Sequence, residues 1–255
     1  GFIRNLFVMG CLSQIYKKQL EKEIPEVDQY FGVDDLESVV RMTGAEYRYD
    51  LSGERSLTTP GHYAYLKISE GCDRTCSFCA IPLIRGRHLS KPVESIVMEA
   101  EYLADKGVKE LILIAQDLTY YGIDIYHKQM LPDLLLRLSD IKEFKWIRLH
   151  YAYPSNFPKE VIKITMEGEK ICNDLDIPSQ HISDKVLENM RRFHNKAQTL
   201  DLIRFFRQEI PGIALRTTVL VGHPGEGKKE FEELLQFISD ARFERLGAFT
   251  YSEEE

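Results

Sequence analysis

Along this chain, short continuous apolar runs alternate with stretches in which apolar residues recur every three or four positions. The run 111–115 (LILIA) predicts a strand buried on both faces, as in a parallel sheet. Val93, Ile96, Val97, Ala100, Leu103 and Ala104 fall on one face of a helix. Ser90 as cap and Pro92 in the first turn predict where that helix starts, and Gly107 where it ends. From residue 63 onward the same reading predicts strands over 64–69, 111–115, 145–151, 171–177, 214–221 and 246–251. Between them it predicts helices near 130–139, from Pro158, and over 183–191, 197–208 and 228–241. Six such units predict an α/β fold with a parallel sheet, curved into a partial barrel open on one side.

Residues 1–45 predict a strand at 6–9, a helix at 14–22, a strand at 27–33 and a helix over 35–42 capped by Asp34. This remnant of a separate α/β domain is too small to be stable alone. Residues 46–61 are polar, carry Ser52-Gly53 and Pro60-Gly61, and predict a linker; 62–255 is the main domain.

The 255 residues are 44% hydrophobic, enough for a sizeable core. A net charge of −7 and a pI near 5.6 argue against a strong nonspecific nucleic-acid binder. Two local basic runs, Arg85, Arg87, His88, Lys91 and Arg191, Arg192, His194, Lys196, are read first as solvated surface. No run reaches the length of a membrane span and no signal peptide is visible. Cysteines kept as free thiols predict a reducing compartment, the cytoplasm.

The chemistry concentrates in one loop. Cys72, Cys76 and Cys79 stand in the spacing Cys-x3-Cys-x2-Cys directly after the first barrel strand. Three thiolates from one loop can hold three corners of an iron–sulfur cube and leave the fourth iron open. Structural zinc wants four ligands, usually as two pairs, so the fourth would have to be Cys11, Cys172 or a distant histidine. A disulfide leaves one thiol over, and a bacterial-type ferredoxin would add a nearby fourth Cys followed by Pro. Other polar clusters fall at the carboxyl ends of later strands, where sheets of this kind carry their sites. They are Gln116-Asp117, His150-Tyr151, Gln180-His181 and 222–226 (GHPGE). Each has a plain structural reading as well. Asp caps helices, Pro and Gly make turns, Arg216 can sit in an internal ion pair, Phe78 can pack under its loop, and the histidines can be satisfied core residues. Cys172 reads as a buried small hydrophobe.

The triplet after the first strand of a six-unit partial barrel resembles the radical S-adenosylmethionine (SAM) superfamily. That resemblance implies a four-iron, four-sulfur cluster on Cys72, Cys76 and Cys79 whose open iron chelates SAM. An electron from the cluster then cleaves SAM to methionine and a 5′-deoxyadenosyl radical. It further implies that Phe78 lies beside the adenine and that Gln116 and Asp117 approach the SAM amino group. Arg216 is a candidate clamp for the SAM carboxylate. Gln180, Gly222 and Glu226 are expected to complete the cofactor site.

Within the superfamily the chain is similar to the methylthiotransferases. The resemblance runs through 65–81 (YLKISEGCDRTCSFCAI), Gly86-Arg87-His88, 114–122 (IAQDLTYYG), 175–183 (LDIPSQHIS), 215–226 (LRTTVLVGHPGE) and 246–255 (LGAFTYSEEE). These runs look like the branch that methylthiolates the β-carbon of an aspartate in a ribosomal small-subunit protein, protein twelve. Asp174 and Ser179 replace an expected Tyr and Leu, and Leu89 and Lys91 depart conservatively from the usual basic run. The family implies a second four-iron cluster on an N-terminal domain. Here Cys11 matches one of its three cysteines, and the opening Gly1-Phe2-Ile3 stands where another is expected, so residues between Ile3 and Arg4 are expected to be missing. A C-terminal RNA-binding-type β-barrel is expected to be absent, and the fragment to lack full activity. Expected partners are the ribosomal protein, an electron donor and a sulfur donor, with a monomeric enzyme and no membrane. The runner-up is the sister enzyme acting on a tRNA adenosine, and the rival from another class is a noncatalytic metal-stabilised binding module.

Overall fold

The computed structural model describes residues 3–48 and 55–253. Gly1 and Phe2, the Ser52-Gly53 part of the expected linker, and the last two residues of the acidic finish lie outside the described residues.

Six parallel strands form one sheet: β3 (Tyr63–Lys67), β6 (Glu110–Ile114), β7 (Trp146–His150), β8 (Ile171–Asp176), β9 (Ala214–Val221) and β10 (Arg245–Thr250). They lie side by side in chain order, and β3 and β10 are its two edges, so the barrel is open. Helices cover the outer face: α4 (Val93–Asp105), α6 (Leu131–Ser139), α7 (Lys159–Glu167), α9 (Lys196–Glu209) and α10 (Lys228–Ala241). Each pairs with a strand because its apolar stripe needs cover. On α4, Val93, Ile96, Ala100, Leu103 and Ala104 are buried against Leu66, Leu111 and Leu113, as the spacing predicts.

Two helix starts differ from expectation. Ser90 does not cap α4. It belongs to a two-residue strand β5 (Leu89–Ser90), antiparallel to β4 (Ser69–Glu70), and its Oγ accepts from Gly122 N at 2.9 Å. Ser90 N donates to Asp124 Oδ2 at 2.8 Å, the next residue's N, that of Lys91, donates to Ile68 O, and Pro92 stands at the cap position instead. Asp34 does not cap the helix α2 (Leu36–Met42) either. Asp35 holds the cap position and its carboxylate accepts from Gly32 N at 2.7 Å. The amino-terminal segment otherwise follows the prediction: β1 (Phe7–Met9) pairs in parallel with β2 (Gln29–Phe31), and α1 (Cys11–Glu23) lies between them in sequence. The end of the expected linker is tied down: Arg55 meets Glu99 of α4 at 3.5 Å, and Leu57 packs on the core.

The register places side chains in layers across the concave face. Lys67 pairs with Ile114, Ile114 with His150, and Asp176 with Arg216. Between β7 and β8 the register slips from Ile147↔Ile171 to Leu149↔Leu175, a bulge spanning Cys172 to Asp174. The bulge leaves Cys172 half-buried rather than wholly inside a strand core. Arg148, on the concave side of β7, bonds Glu110 and reaches Asp174 Oδ2 at 2.9 Å. Asp174, where the resemblance expects a tyrosine, is therefore an internal ion-pair partner.

Candidate active site

The cysteine loop leaves β4 through Gly71, at φ +73°. A Cβ there would stand 2.0 Å from Arg87 O, so this position needs glycine. The loop is then stapled on all sides. Cys72 N donates to Gly86 O at 3.2 Å, and Asp73 accepts from His88 N at 3.0 Å and from the Arg87 guanidinium. Ser77 N donates to Met190 O, and its Oγ meets Asn189 O at 2.9 Å and His223 Nε2 at 3.1 Å. The Gly86-Arg87-His88 run thus holds the first half of the loop. The short helix α8 (Asp184–Asn189) and the 222–226 turn hold the second.

Cys72, Cys76 and Cys79 are free, half-buried and all on the wall of one cavity of about 360 Å³. Burial pushes the Cys72 and Cys79 thiols up; the neighbouring thiols push the same way. Among the described residues no three His, Cys, Asp or Glu side chains converge to hold a single metal ion. A four-iron cube offers its irons at separate corners, so thiols spread around one wall suit it better than a lone ion. Binding would draw the protons off both raised thiols.

Opposite the thiols stand residues of the second, third and fourth strand ends. Gln116 lines the cavity; its amide nitrogen donates to Glu70 Oε1 at 2.7 Å, while its carbonyl Oε1 is buried without a partner. An unpaired acceptor in a ligand-sized cavity fits an incoming ammonium group. Gln180, at φ +65°, and Phe78 also line it. Phe78 does both things the sequence allowed: it packs on Val186, Met190 and Leu220 and presents to the cavity.

Four expected site residues have other partners and do not line this cavity. Asp117 is buried, accepts from Thr119 N and Oγ1 through Oδ1, and from Arg74 through Oδ2. It caps the 3-10 turn Leu118–Tyr120, so its carboxylate is fully used. Gly222 N donates to Glu226 Oε2 at 2.7 Å, which closes the turn on itself. Glu226 also stands 3.8 Å from the buried His181. Arg216 lies near the start of β9, paired in register with Asp176 of β8, whose carboxyl its charge pulls down.

The sequence reading missed the wall beside the thiols. Tyr153 has two guanidinium groups against its ring, Arg74 at 4.0 Å and Arg192 at 4.2 Å from its centre. Arg192 also belongs to one of the basic runs read as surface, yet it faces the cavity. Cys11 is exposed at the start of α1, where Arg85 Nη2 approaches its sulfur at 3.6 Å. Since Arg85 ends the helix α3 (Ile81–Arg85) that follows the cysteine loop, Cys11 stands beside that loop.

An open parallel α/β barrel with three free thiols and unpaired polar groups at the carboxyl ends of its strands is the architecture of a cofactor-dependent enzyme. The chain belongs to the radical SAM superfamily, whose family model matches residues 66–238. Its cofactors are accordingly a [4Fe–4S] cluster and SAM. It is 55% identical, over all 255 residues, to the ribosomal protein uS12 methylthiotransferase RimO of Flavobacterium johnsoniae. Identity to the protein of that name from Bacteroides fragilis is 56% over the same length. The chain spans 58% and 59% of those relatives, respectively. Among solved structures, it resembles the cobalamin- and [4Fe–4S]-bound radical SAM methyltransferase TsrM from Kitasatospora setae, with a TM-score of 0.60 at 20% identity over 77% of this chain and 40% of that one. Escherichia coli coproporphyrinogen III oxidase HemN gives 0.57 at 17% identity, over 74% and 44%. At those identities the likeness is one of fold.

Proposed function

We propose that this chain is the SAM-cleaving part of an enzyme that methylthiolates the β-carbon of an aspartate in ribosomal protein uS12. The observation that carries the reading is the identity above 50% to curated uS12 methylthiotransferases over the entire chain. It supports the ribosomal protein over a tRNA adenosine as substrate, and an enzyme over a binding module.

In this reading Cys72, Cys76 and Cys79 hold the cluster, and Gln116 Oε1 accepts from the SAM amino group. Phe78 and Gln180 shape the wall around the nucleoside. Once bound, the cluster and SAM supply a carbon-centred radical able to take hydrogen from an unactivated carbon. The chain's own part is to exclude water and hold the reacting groups in place. Apolar Phe78, Ile81, Ile114 and Ala115 line the cavity and keep it dry. Because β3 and β10 do not meet, a loop of a protein substrate has a way in at the side.

Cys11 beside the cysteine loop supports a second cluster at the same opening, with its other ligands contributed elsewhere in the whole protein. The reaction requires an electron donor and a sulfur donor. We place the enzyme in the cytoplasm as a monomer; no helix among the described residues is long and apolar enough to cross a membrane.

The test is anaerobic reconstitution of the full-length protein with iron, sulfide, SAM, reductant and uS12. Mass spectrometry should find one methylthio group added at an aspartate of uS12. An unmodified uS12 beside cleaved SAM would sink the substrate assignment.

A further inference from the structure

We infer that Arg192 is a positioning residue that raises the reduction potential of the cluster by donating from its guanidinium to the sulfur of Cys76. The inference rests on the reading that Cys72, Cys76 and Cys79 hold that cluster.

Arg192 Nη1 stands 3.6 Å from Cys76 Sγ, within hydrogen-bond reach of a sulfur acceptor. The side chain is fixed there from two other directions. Its Nη2 donates to Pro178 O at 2.6 Å, and its guanidinium lies on the Tyr153 ring. Tyr153 is in turn buried, with its hydroxyl accepting from Phe193 N at 3.1 Å. A guanidinium held at three points loses little freedom when a thiolate arrives.

Charge distinguishes Arg192 from the other cations of the cavity wall. Arg74 is spent on Asp117 at 3.0 Å, and Lys67 on Glu70 at 2.5 Å. Among the described residues Arg192 has no carboxylate within ion-pair distance; Pro178 O, a neutral carbonyl, is its strong partner.

Reduction adds one electron, from the donor the reaction requires, to a cluster bound by three thiolates. The added negative charge is stabilised by a hydrogen bond to a ligand sulfur and by an uncompensated nearby cation, and both raise the potential. Arg192 supplies both from one group. A merely structural Arg192, anchoring Pro178, would leave the potential unmoved.

The experiment is a potentiometric EPR titration of the anaerobically reconstituted chain as wild type, R192K and R192Q. R192Q is expected to load iron and sulfide like the wild type. At the wild-type midpoint its reduced-to-oxidised ratio should be at least tenfold smaller, a fall of about 59 mV for one electron. R192K, which keeps the charge, should recover at least half of that. Equal potentials for R192Q and wild type overturn the inference. If R192Q holds no cluster, protein labelled with [15N]guanidino-arginine decides. The reduced wild-type cluster should show a nitrogen coupling in pulsed EPR that R192K lacks, and an identical spectrum from both overturns the inference. A wild-type chain that assembles no four-iron cluster fails earlier, in its iron and sulfide content, and overturns the underlying reading instead.

Discussion

Both Nε and Nη2 of Arg74 donate to the same oxygen of Asp117, at 3.1 and 3.0 Å. The pair ties the middle of the cysteine loop to the end of the second barrel strand, and both side chains are largely buried. Removing one partner of such a pair strands the other charge. Asp117→Ala is therefore expected to destabilise the apoprotein by about 3 kcal/mol in urea unfolding. Asp117→Asn, which keeps an acceptor for Thr119, should cost less. A D117A variant as stable as the wild type would refute the anchoring role.

Asp176 gives a pH-dependent prediction. Burial pushes its carboxyl up to about 6 from 3.8, against the pull of Arg216. A folded-state pKa above the unfolded one means the native protein binds the proton more tightly. This group's contribution to stability therefore grows as pH falls through 6 and is complete below about 4; at neutral pH the buried charge is a burden. Asp176→Asn should stabilise by about 2 kcal/mol at pH 7.5 relative to wild type, and by nothing near pH 4. The difference between the two proteins is the quantity to measure. Glu70, Asp73, Asp124 and Glu244 are all held below their ordinary range and tilt the whole-protein profile the other way. A constant difference across pH would exclude Asp176 as the source.

Gly71→Ala tests the loop's exit. The added methyl meets Arg87 O and the left-handed backbone at once, so the loop must shift away from β5. Iron content after reconstitution should fall by more than half while the helical signal in circular dichroism is retained. Full loading would show that the cluster tolerates a displaced Cys72.

Gln116→Ala removes the buried carbonyl that has no partner in the protein. Hydrogen bonds to charged groups are worth about 1.5–3 kcal/mol, so SAM affinity in equilibrium dialysis should drop at least about tenfold. Cluster loading should not change, because Gln116 is no part of the thiol loop. Undiminished SAM binding would remove Gln116 from the site.

The barrel was legible because its strands are short apolar runs that bury at least the face turned to the helices, and its helices carry one apolar stripe each. The strand predicted over 214–221 is the one observed, Ala214–Val221. The cysteine spacing pointed to the cavity for the same local reason: three ligands within eight residues share one loop. What failed was chemistry decided across the fold. Ser90 looks like a helix cap until a two-residue ladder places it beside Ser69 and Asp124 takes its N–H, and a ladder that short has no period to detect. Asp117, Gly222 and Glu226 stand at strand ends as expected, but position alone does not show that Asp117 is bonded to Thr119 and Arg74, or Gly222 to Glu226. Tyr153 was passed over because its two arginine neighbours come from residues 74 and 192, far apart in the chain. The one available hint was that Arg192 adjoins a run rich in His and Arg near the end of α8.

The bonds from Ser77 to Asn189 and His223 bridge 112 and 146 residues. Contacts of that separation form late, because the intervening chain must be ordered before they close. A polypeptide emerging from the ribosome with the cysteine triplet already made but the fourth and fifth strands still unsynthesised would carry three adjacent thiols with no geometry imposed on them. On the proposed reading of these thiols as cluster ligands, metal loading would follow chain completion, with a finished barrel as its target.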